Sequence, residues 1–284
     1  MKPIWLIEDF DPDDSRIKLM DTVKKHGLQC SVIKYLPFES GNYDEIPNEY
    51  NQCVIFQGSL NLARQLRREK KWIPGVWCNL DNFKCSMYYP YFGKYLLNSD
   101  YFFIPVFELK RRKKELYTKF GLDNCLYIRP DSGFKTFTGK AVNFEEFDTD
   151  YEWMTEFSDR NSLSLVASPK KICAEYRFVI CNKKVITGST YRKTDKIEHC
   201  NIGINSHGDA REAWFYAQSR CTIDWEPDSV YVMDICKVRG DLFYEFKILE
   251  LNSFSCSGLY SCDLDIIVEK VSDLAVKEME SYDS

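Results

Sequence analysis

Residues 231–260, YVMDICKVRGDLFYEFKILELNSFSCSGLY, have the pattern of a β-hairpin. Val230–Val238 is rich in β-branched and aromatic residues, Arg239-Gly240-Asp241 carries turn chemistry, and Phe243–Leu251 is apolar again. Two acids stand inside these apolar runs, Asp234 in the first strand and Glu250 in the second. Side chains on a strand alternate faces, so Glu250 and Asn252 point the same way. A turn near Gly240–Leu242 brings Asp234 level with them on the facing strand. Two carboxylates and an amide oxygen then share one patch of sheet. Bare carboxylates so placed repel each other and are costly to bury unless a positive charge joins them. Oxygen ligands of this kind suit Mg²⁺, which takes a carboxylate or two and completes its octahedron with phosphate and water. The same acids also fit a sheet face turned to solvent, and the hairpin alone leaves both readings open.

Composition narrows the class. The chain has 284 residues, 44% of them hydrophobic and 29% charged, which fits a globular protein with ample core, built as one large domain or a few small ones. A net charge of −5 argues against wrapping nucleic acid over the whole surface but leaves a local basic groove open. No apolar run reaches the length of a membrane span, and the opening MKPIWLIEDFDP lacks the pattern of a signal peptide. The 12 cysteines are scattered with no C-x-x-C pair, so reduced thiols and a cytoplasmic location are expected. His26, His199 and His207 are too dispersed for a histidine metal site.

The N-terminal third alternates strand and helix. Ile4–Ile7 reads as a strand, Asp14–His26 as a helix stopped by Gly27, and Ser31–Leu36 and Cys53–Gln57 as further strands. Ser59 caps a helix over Leu60–Glu69, whose start is a plain cap or an anion site, and Gly75–Trp77 reads as a strand. This alternation predicts a small parallel α/β domain. Within Asn79–Leu97, SMYYPYFGKYL reads as a helix that either packs in the core or lines a substrate site. The run Lys110–Lys114, KRRKK, is either a solvated helix face or a patch for phosphate or RNA.

The middle of the chain reads as strand, loop, helix and strands. Cys125–Pro130 is a strand, and the loop DSGFKTFTGK at 131–140 sets Lys135 between Gly133 and Gly139, where backbone amides and an ammonium can fold over phosphates. Phe144–Ser158 reads as a helix and Leu163–Ala167 as a strand broken by Ser168-Pro169. Ala174–Cys181 alternates strictly, with Glu175, Arg177 and Val179 on one face and Tyr176, Phe178 and Ile180 on the core face. Asn182–Lys184 turns the chain back along Val185–Arg192, leaving Arg192 at a strand end. Helices follow at Asp209–Arg220 and Asp263–Met279.

In this order the pieces resemble an ATP-grasp enzyme over about residues 120–270, most specifically in FKTFTG after IRP, in AEYRF, and in MD…LELNSFSCSGLY. They look most like a divergent phage- and bacteria-associated branch of predicted ligases. The resemblance implies an α+β fold: a small α/β pre-ATP-grasp domain at 1–110, then an ATP-grasp domain at 111–284. Within the latter, about 125–195 would form the lid and hinge and 196–284 the metal-site subdomain, the β-rich parts clasping ATP. It implies ATP and Mg²⁺ as cofactors, and a ligase that phosphorylates a carboxylate and joins the acyl-phosphate to an amine, releasing ADP. Carried over by residue, Arg129 and Lys135 would touch phosphate, and Ser168 would lie in the hinge beside adenine. Glu175 would sit near the ribose, Arg177 and Arg192 would stabilise the transferring phosphoryl group, and Asp234, Glu250 and Asn252 would hold magnesium. Two departures stand out: Arg129 replaces the usual lysine, and the phosphate loop is poor in glycine. Amino-acid or peptide substrates are expected. An enzyme of the same fold acting on RNA or DNA ends, and a nucleotide-binding module without turnover, are the alternatives.

Overall fold

The structure, a computed structural model, describes residues 1–9, 14–33, 52–69, 72–134, 136–156, 158–193, 196–240 and 243–282. In chain order the elements begin β1 (Ile4–Glu8), α1 (Asp14–Lys25), β2 (Gln29–Ile33), β3 (Gln52–Gln57), α2 (Leu60–Glu69), β4 (Trp72–Gly75) and α3 (Cys85–Phe92). They continue with β5 (Phe102–Pro105), α4 (Val106–Arg111), α5 (Lys113–Phe120), β6 (Cys125–Pro130), β7 (Lys140–Asn143), α6 (Phe147–Glu156) and β8 (Leu163–Ala167). The last are β9 (Ile172–Cys181), β10 (Lys184–Lys193), β11 (Lys196–Ile202), α7 (Gly208–Arg220), β12 (Val230–Arg239), β13 (Tyr244–Ser253) and α8 (Leu264–Tyr282). They form three sheets, ordered β2-β1-β3-β4, β11-β10-β9-β12-β13 and β5-β8-β6-β7. Helices and sheets are mixed as expected for an α+β protein.

The chain folds as two compact units that interleave in sequence. The first comprises Met1–Asn79, Ala174–Ile235 and Glu250–Ser284, the second Leu80–Cys173 and Cys236–Leu249.

In the first unit β1 runs parallel between β2 and β3, with Trp5, Leu6 and Ile7 all fully buried, the continuous apolar run that a two-sided parallel strand requires. Helix α1 ends where Gly27 takes φ +65°, a left-handed value cheap for glycine. Helix α8 buries Ile267, Val268, Val271, Ala275 and Met279, a stripe at helical spacing, in one core with Trp5, Ile7, Ile55, Trp77 and Val179. Phe254 lies edge-on to both Trp5 and Trp77, at ring-centroid distances of 6.4 and 6.0 Å. Asn182 and Lys183, both at positive φ (48° and 59°), close the β9–β10 hairpin as a primed turn.

The second unit centres on Ile104, Leu109, Leu116, Leu126, Ile128, Val142, Met154 and Val166, with α4, α5 and α6 contributing to one core with strands β5–β8. Its strands pair antiparallel throughout.

Several expectations need correction. The strand expected at Gly75–Trp77 is β4, Trp72–Gly75, and α6 begins at Phe147 rather than Phe144. The strand expected over Ser31–Leu36 is described only to Ile33, and its remainder lies outside the described residues. Tyr88, Tyr89 and Phe92 of α3 are buried against one another and against Tyr101 and Phe103, so the aromatic stretch builds core. Both faces of β9 are covered: Phe178 meets Trp214 of α7 on one side, while Val179 and Cys181 join the α8 core on the other. Strand β11 is an element the sequence reading did not anticipate. Among the described residues no helix is long and apolar enough to cross a membrane, which leaves β-barrels unaddressed.

Candidate active site

The hairpin of β12 and β13 sets Asp234, Glu250 and Asn252 together, as the alternation predicts. Asn252 donates through Nδ2 to Asp234 Oδ2 and to Glu250 Oε1, both at 3.0 Å. From β9, Arg177 grips Asp234 with both arms: Nε to Oδ1 at 2.8 Å and an Nη to Oδ2 at 2.7 Å. Its other Nη donates to the Gly258 carbonyl at 3.0 Å, and its guanidinium lies 4.7 Å from the centre of the Tyr260 ring. Arg177 and Asp234 are only 8% and 7% exposed, so this is a buried, bidentate, charge-assisted pair. Burial works against the Arg177 charge, but Asp234 more than offsets it and holds the guanidinium firmly protonated. The positive charge that the paired carboxylates require is therefore supplied within the protein.

Glu175 lies two residues before Arg177 and pairs with Arg192 of β10 at 3.8 Å. Its pKa is raised, chiefly by burial and further by the negative charges of Asp234 and Glu250, with Arg192 opposing. Arg192 is thus engaged with Glu175 rather than projecting alone from the strand end. Tyr260, at φ +48°, stacks on Tyr191 at 4.8 Å and lies 4.6 Å from His199, and burial pushes its hydroxyl up to about 12. The sequence reading gave neither Tyr260 nor the Gly258 carbonyl a role. The available signal was their place in SGLY, directly after the E-x-N strand end.

Other expected positions lie in the second unit. Arg129, on β6, is 9% exposed, and β6 pairs with β8, with Arg129 opposite Leu165. A Cβ on Gly139 would stand 2.8 Å from both Arg129 Cβ and Tyr127 Oη, so the loop's glycine permits its close approach to this strand. Ser168 follows β8, and its backbone N–H donates to Asp100 Oδ2 at 3.1 Å, while Lys170 pairs with the same carboxylate. Lys135 lies outside the described residues.

At the start of α2, Ser59 caps Leu62 N at 3.3 Å, and the Glu8 carboxylate accepts from both the Ser59 backbone N–H and its hydroxyl. That helix start is filled by the protein's own anion. In KRRKK, Arg111 and Arg112 pair with Glu108 and Glu115, and Lys110 and Lys113 with Asp148. Most of its charge is met locally by these surface ion pairs. All twelve cysteines are free thiols.

Two carboxylates and a primary amide are hard oxygen donors of the kind magnesium takes, and turning the Asn252 amide presents its Oδ1 in place of Nδ2. Among the described residues no group of three or more His, Cys, Asp and Glu is placed to hold a metal ion, so a centre here needs the Asn252 amide beside the two carboxylates. The residues fit the ion.

A family model described as the ATP-grasp domain, R2K clade family 2, matches residues 111–269, more than half of the chain. The chain belongs to the ATP-grasp family. None of the curated proteins matches. Among solved structures, this ATP-grasp chain is similar to the D-cycloserine synthetase DcsG, with a TM-score of 0.62 and 12% identity over 96% of this chain and 99% of that one. It is similar to the D-alanine–D-alanine ligase of Bacillus anthracis, with a TM-score of 0.56 and 13% identity over 99% and 98%. It is also similar to the ATP-grasp ligase PsnB complexed with its minimal precursor, Mg and ADP, with a TM-score of 0.51 and 12% identity over 97% of each chain. At such identities these likenesses establish the fold.

Proposed function

We propose that this ATP-grasp protein is an ADP-forming carboxylate–amine ligase: ATP, an acid and an amine give an amide, ADP and phosphate through an acyl-phosphate. Family membership supports the use of ATP, and the converged Asp234, Glu250 and Asn252 carry the reading. Those three residues would hold magnesium, which when bound supplies the largest positive charge at the triphosphate. Arg177, buried and permanently charged, fixes the Asp234 carboxylate and keeps a cation beside the site. Arg192 is half exposed at its strand end, and exchange of Glu175 for an incoming anion would let it bind the transferring phosphoryl group. Arg129, Lys135 and Ser168 complete the proposed nucleotide contacts, the first two at phosphate and the last beside adenine. The division at residue 110 into a pre-ATP-grasp part and an ATP-grasp part belongs to this proposal, as does a cytoplasmic location. Amino acids or a peptide are the proposed substrates. A D-alanine–D-alanine ligase and an ATP-grasp ligase complexed with a precursor peptide are named among the solved structures of this fold.

The test is a screen of acids and amines for magnesium-dependent ADP release that needs both partners. Glu250→Gln is expected to lower that turnover about 10²–10³-fold, the usual cost of losing one electrostatic stabiliser of a transition state. Turnover by Glu250→Gln equal to that of the native chain refutes the metal assignment.

A further inference from the structure

The segment that follows the E-x-N strand end, residues 257–261, is tied to two parts of the first unit. On one side it meets β10 and β11: Ser261 N donates to Ser189 Oγ at 3.3 Å, and the Ser261 carbonyl accepts from Asn201 Nδ2 at 3.0 Å. On the other it meets β9, where Arg177 donates to the Gly258 carbonyl at 3.0 Å. Tyr260 stands between these attachments. Its ring lies 4.7 Å from the Arg177 guanidinium and 4.8 Å from the ring of Tyr191, the two tyrosines stacking at an angle of 23°. His199 of β11 lies 4.6 Å from the same ring.

Tyr260 keeps this place at φ +48°, a left-handed value that glycine takes freely and a bulky residue takes at a cost. The segment's own glycine, Gly258, does not take a left-handed value. Backbone strain of this kind gathers at functional sites, where a particular side chain is needed. What the ring meets here is a buried cation. A guanidinium is attracted to the face of an aromatic ring, and more strongly where water is excluded. Burial pushes the Tyr260 hydroxyl up to about 12, so the residue stays neutral and acts through its ring, not as a counter-ion. The Gly258 carbonyl and the Tyr260 ring thus hold the guanidinium by two means from one short segment, while Asp234 takes its remaining nitrogens. A planar fork meets a carboxylate with both arms only when its plane is fixed.

We propose that Tyr260 is a positioning residue of the Asp234–Glu250–Asn252 cluster: packed against Tyr191 and Arg177, it holds the guanidinium in its two-armed grip on Asp234 and so sets how readily that carboxylate is released to a cation. The consequence for a cation rests on the metal reading of the cluster; the grip itself does not.

The test follows hydrogen exchange at the Arg177 Nε–H in the full ¹⁵N-labelled chain, its signal assigned by its loss in Arg177→Leu. Tyr260→Leu is expected to speed that exchange about tenfold, the effect of losing one desolvated cation–π contact. Tyr260→Phe keeps the ring and is expected to stay within about twofold of the native chain. The Trp5 indole N–H, which donates to Ser272 Oγ at 3.0 Å in the core of the same unit, is expected to exchange as before in both variants and reports that the fold is kept. Unchanged Arg177 exchange in Tyr260→Leu overturns the proposal. So does equal acceleration in Tyr260→Phe, or acceleration of Trp5 in step with Arg177, which marks a merely structural role. Calorimetric titration with magnesium reads the consequence separately. Affinity is expected to rise in Tyr260→Leu, because a loosened Arg177 competes less for Asp234, and to change no further when Tyr260→Leu is added to Arg177→Leu. Faster Arg177 exchange with magnesium affinity unchanged upholds the positioning of Arg177 by Tyr260 and overturns the metal reading of Asp234.

Discussion

Removing the Arg177 guanidinium tests whether the carboxylate patch is held together as described. Arg177→Leu deletes two hydrogen bonds to Asp234, at 2.8 and 2.7 Å, and a third to the Gly258 carbonyl at 3.0 Å, from a pair that is less than a tenth exposed. Breaking a buried pair from one side costs about 3–5 kcal/mol, because a charge is left without its partner. A second argument caps the loss. A stranded carboxylate can take up a proton, and at pH 7 this costs about 1.4 kcal/mol for each unit above the ordinary value near 4, about 4 kcal/mol in all. The expected destabilisation is therefore about 3–4 kcal/mol at pH 7, shrinking to about 1.5 kcal/mol at pH 5, where the proton is easier to acquire. Adding Asp234→Asn removes the stranded charge, and the double variant is expected to recover at least half of the loss at pH 7. Urea unfolding followed by tryptophan fluorescence reads both, since Trp5 and Trp77 share the core of this unit. A single variant that loses less than about 1 kcal/mol, or a double variant as unstable as the single, refutes the reasoning.

Three further outcomes are expected. Burial pushes Asp228 up from 3.8 to about 6 although its carboxylate accepts from Asn79 N at 2.8 Å. Its raised folded value favours the folded state fully below pH 4 and loses that effect as pH rises through 6. Stability of the native chain relative to Asp228→Asn should thus fall by up to about 3 kcal/mol between pH 4 and 7, and a flat difference in urea midpoints contradicts this. Gly139→Ala places a methyl 2.8 Å from Arg129 Cβ and Tyr127 Oη and should cost about 1–3 kcal/mol, checked by thermal unfolding. Phe254→Ala empties the space between Trp5 and Trp77 and should cost about 3–5 kcal/mol in the same urea assay.

The parts of the fold that were legible are those with local causes. Side-chain alternation placed Glu250 and Asn252 on one face, and turn chemistry at Gly240 brought Asp234 opposite, which the hydrogen bonds of Asn252 bear out. The β9–β10 turn, the cap at Ser59 and the stop at Gly27 are marked by single residues suited to the place: Asn182 tolerates positive φ, the Ser59 hydroxyl accepts from Leu62 N, and Gly27 takes a left-handed φ at little cost. Strand β11 escaped because KIEHCNI is an edge strand with all but Ile202 exposed, so no apolar alternation marks it. The strand near residue 75 starts earlier than expected because Pro74, ordinarily a breaker, lies inside β4 and pairs in parallel register with Val54.

What the sequence could not supply is the partner of Asp234. Arg177 precedes it by 57 positions, and only the pairing of β9 beside β12 brings the two together. The pair nevertheless explains why acids are tolerated in apolar strands. Asp234 without Arg177 is a buried charge costing several kcal/mol, and Arg177 without Asp234 is another. Together they form a neutral unit to which Asn252 adds a donor, and that same amide reaches Glu250 across the cluster. A cluster built this way has its internal charge nearly balanced before any ligand arrives. An incoming cation must therefore displace part of a formed network, by turning the Asn252 amide and loosening one arm of Arg177. Magnesium binding should accordingly tighten in Arg177→Leu, where Arg177 no longer competes for the Asp234 carboxylate, while unfolding in the absence of the ion becomes easier. Calorimetric titration with magnesium reads the first change. Equal affinities in the native and variant chains would show that the ion does not use Asp234.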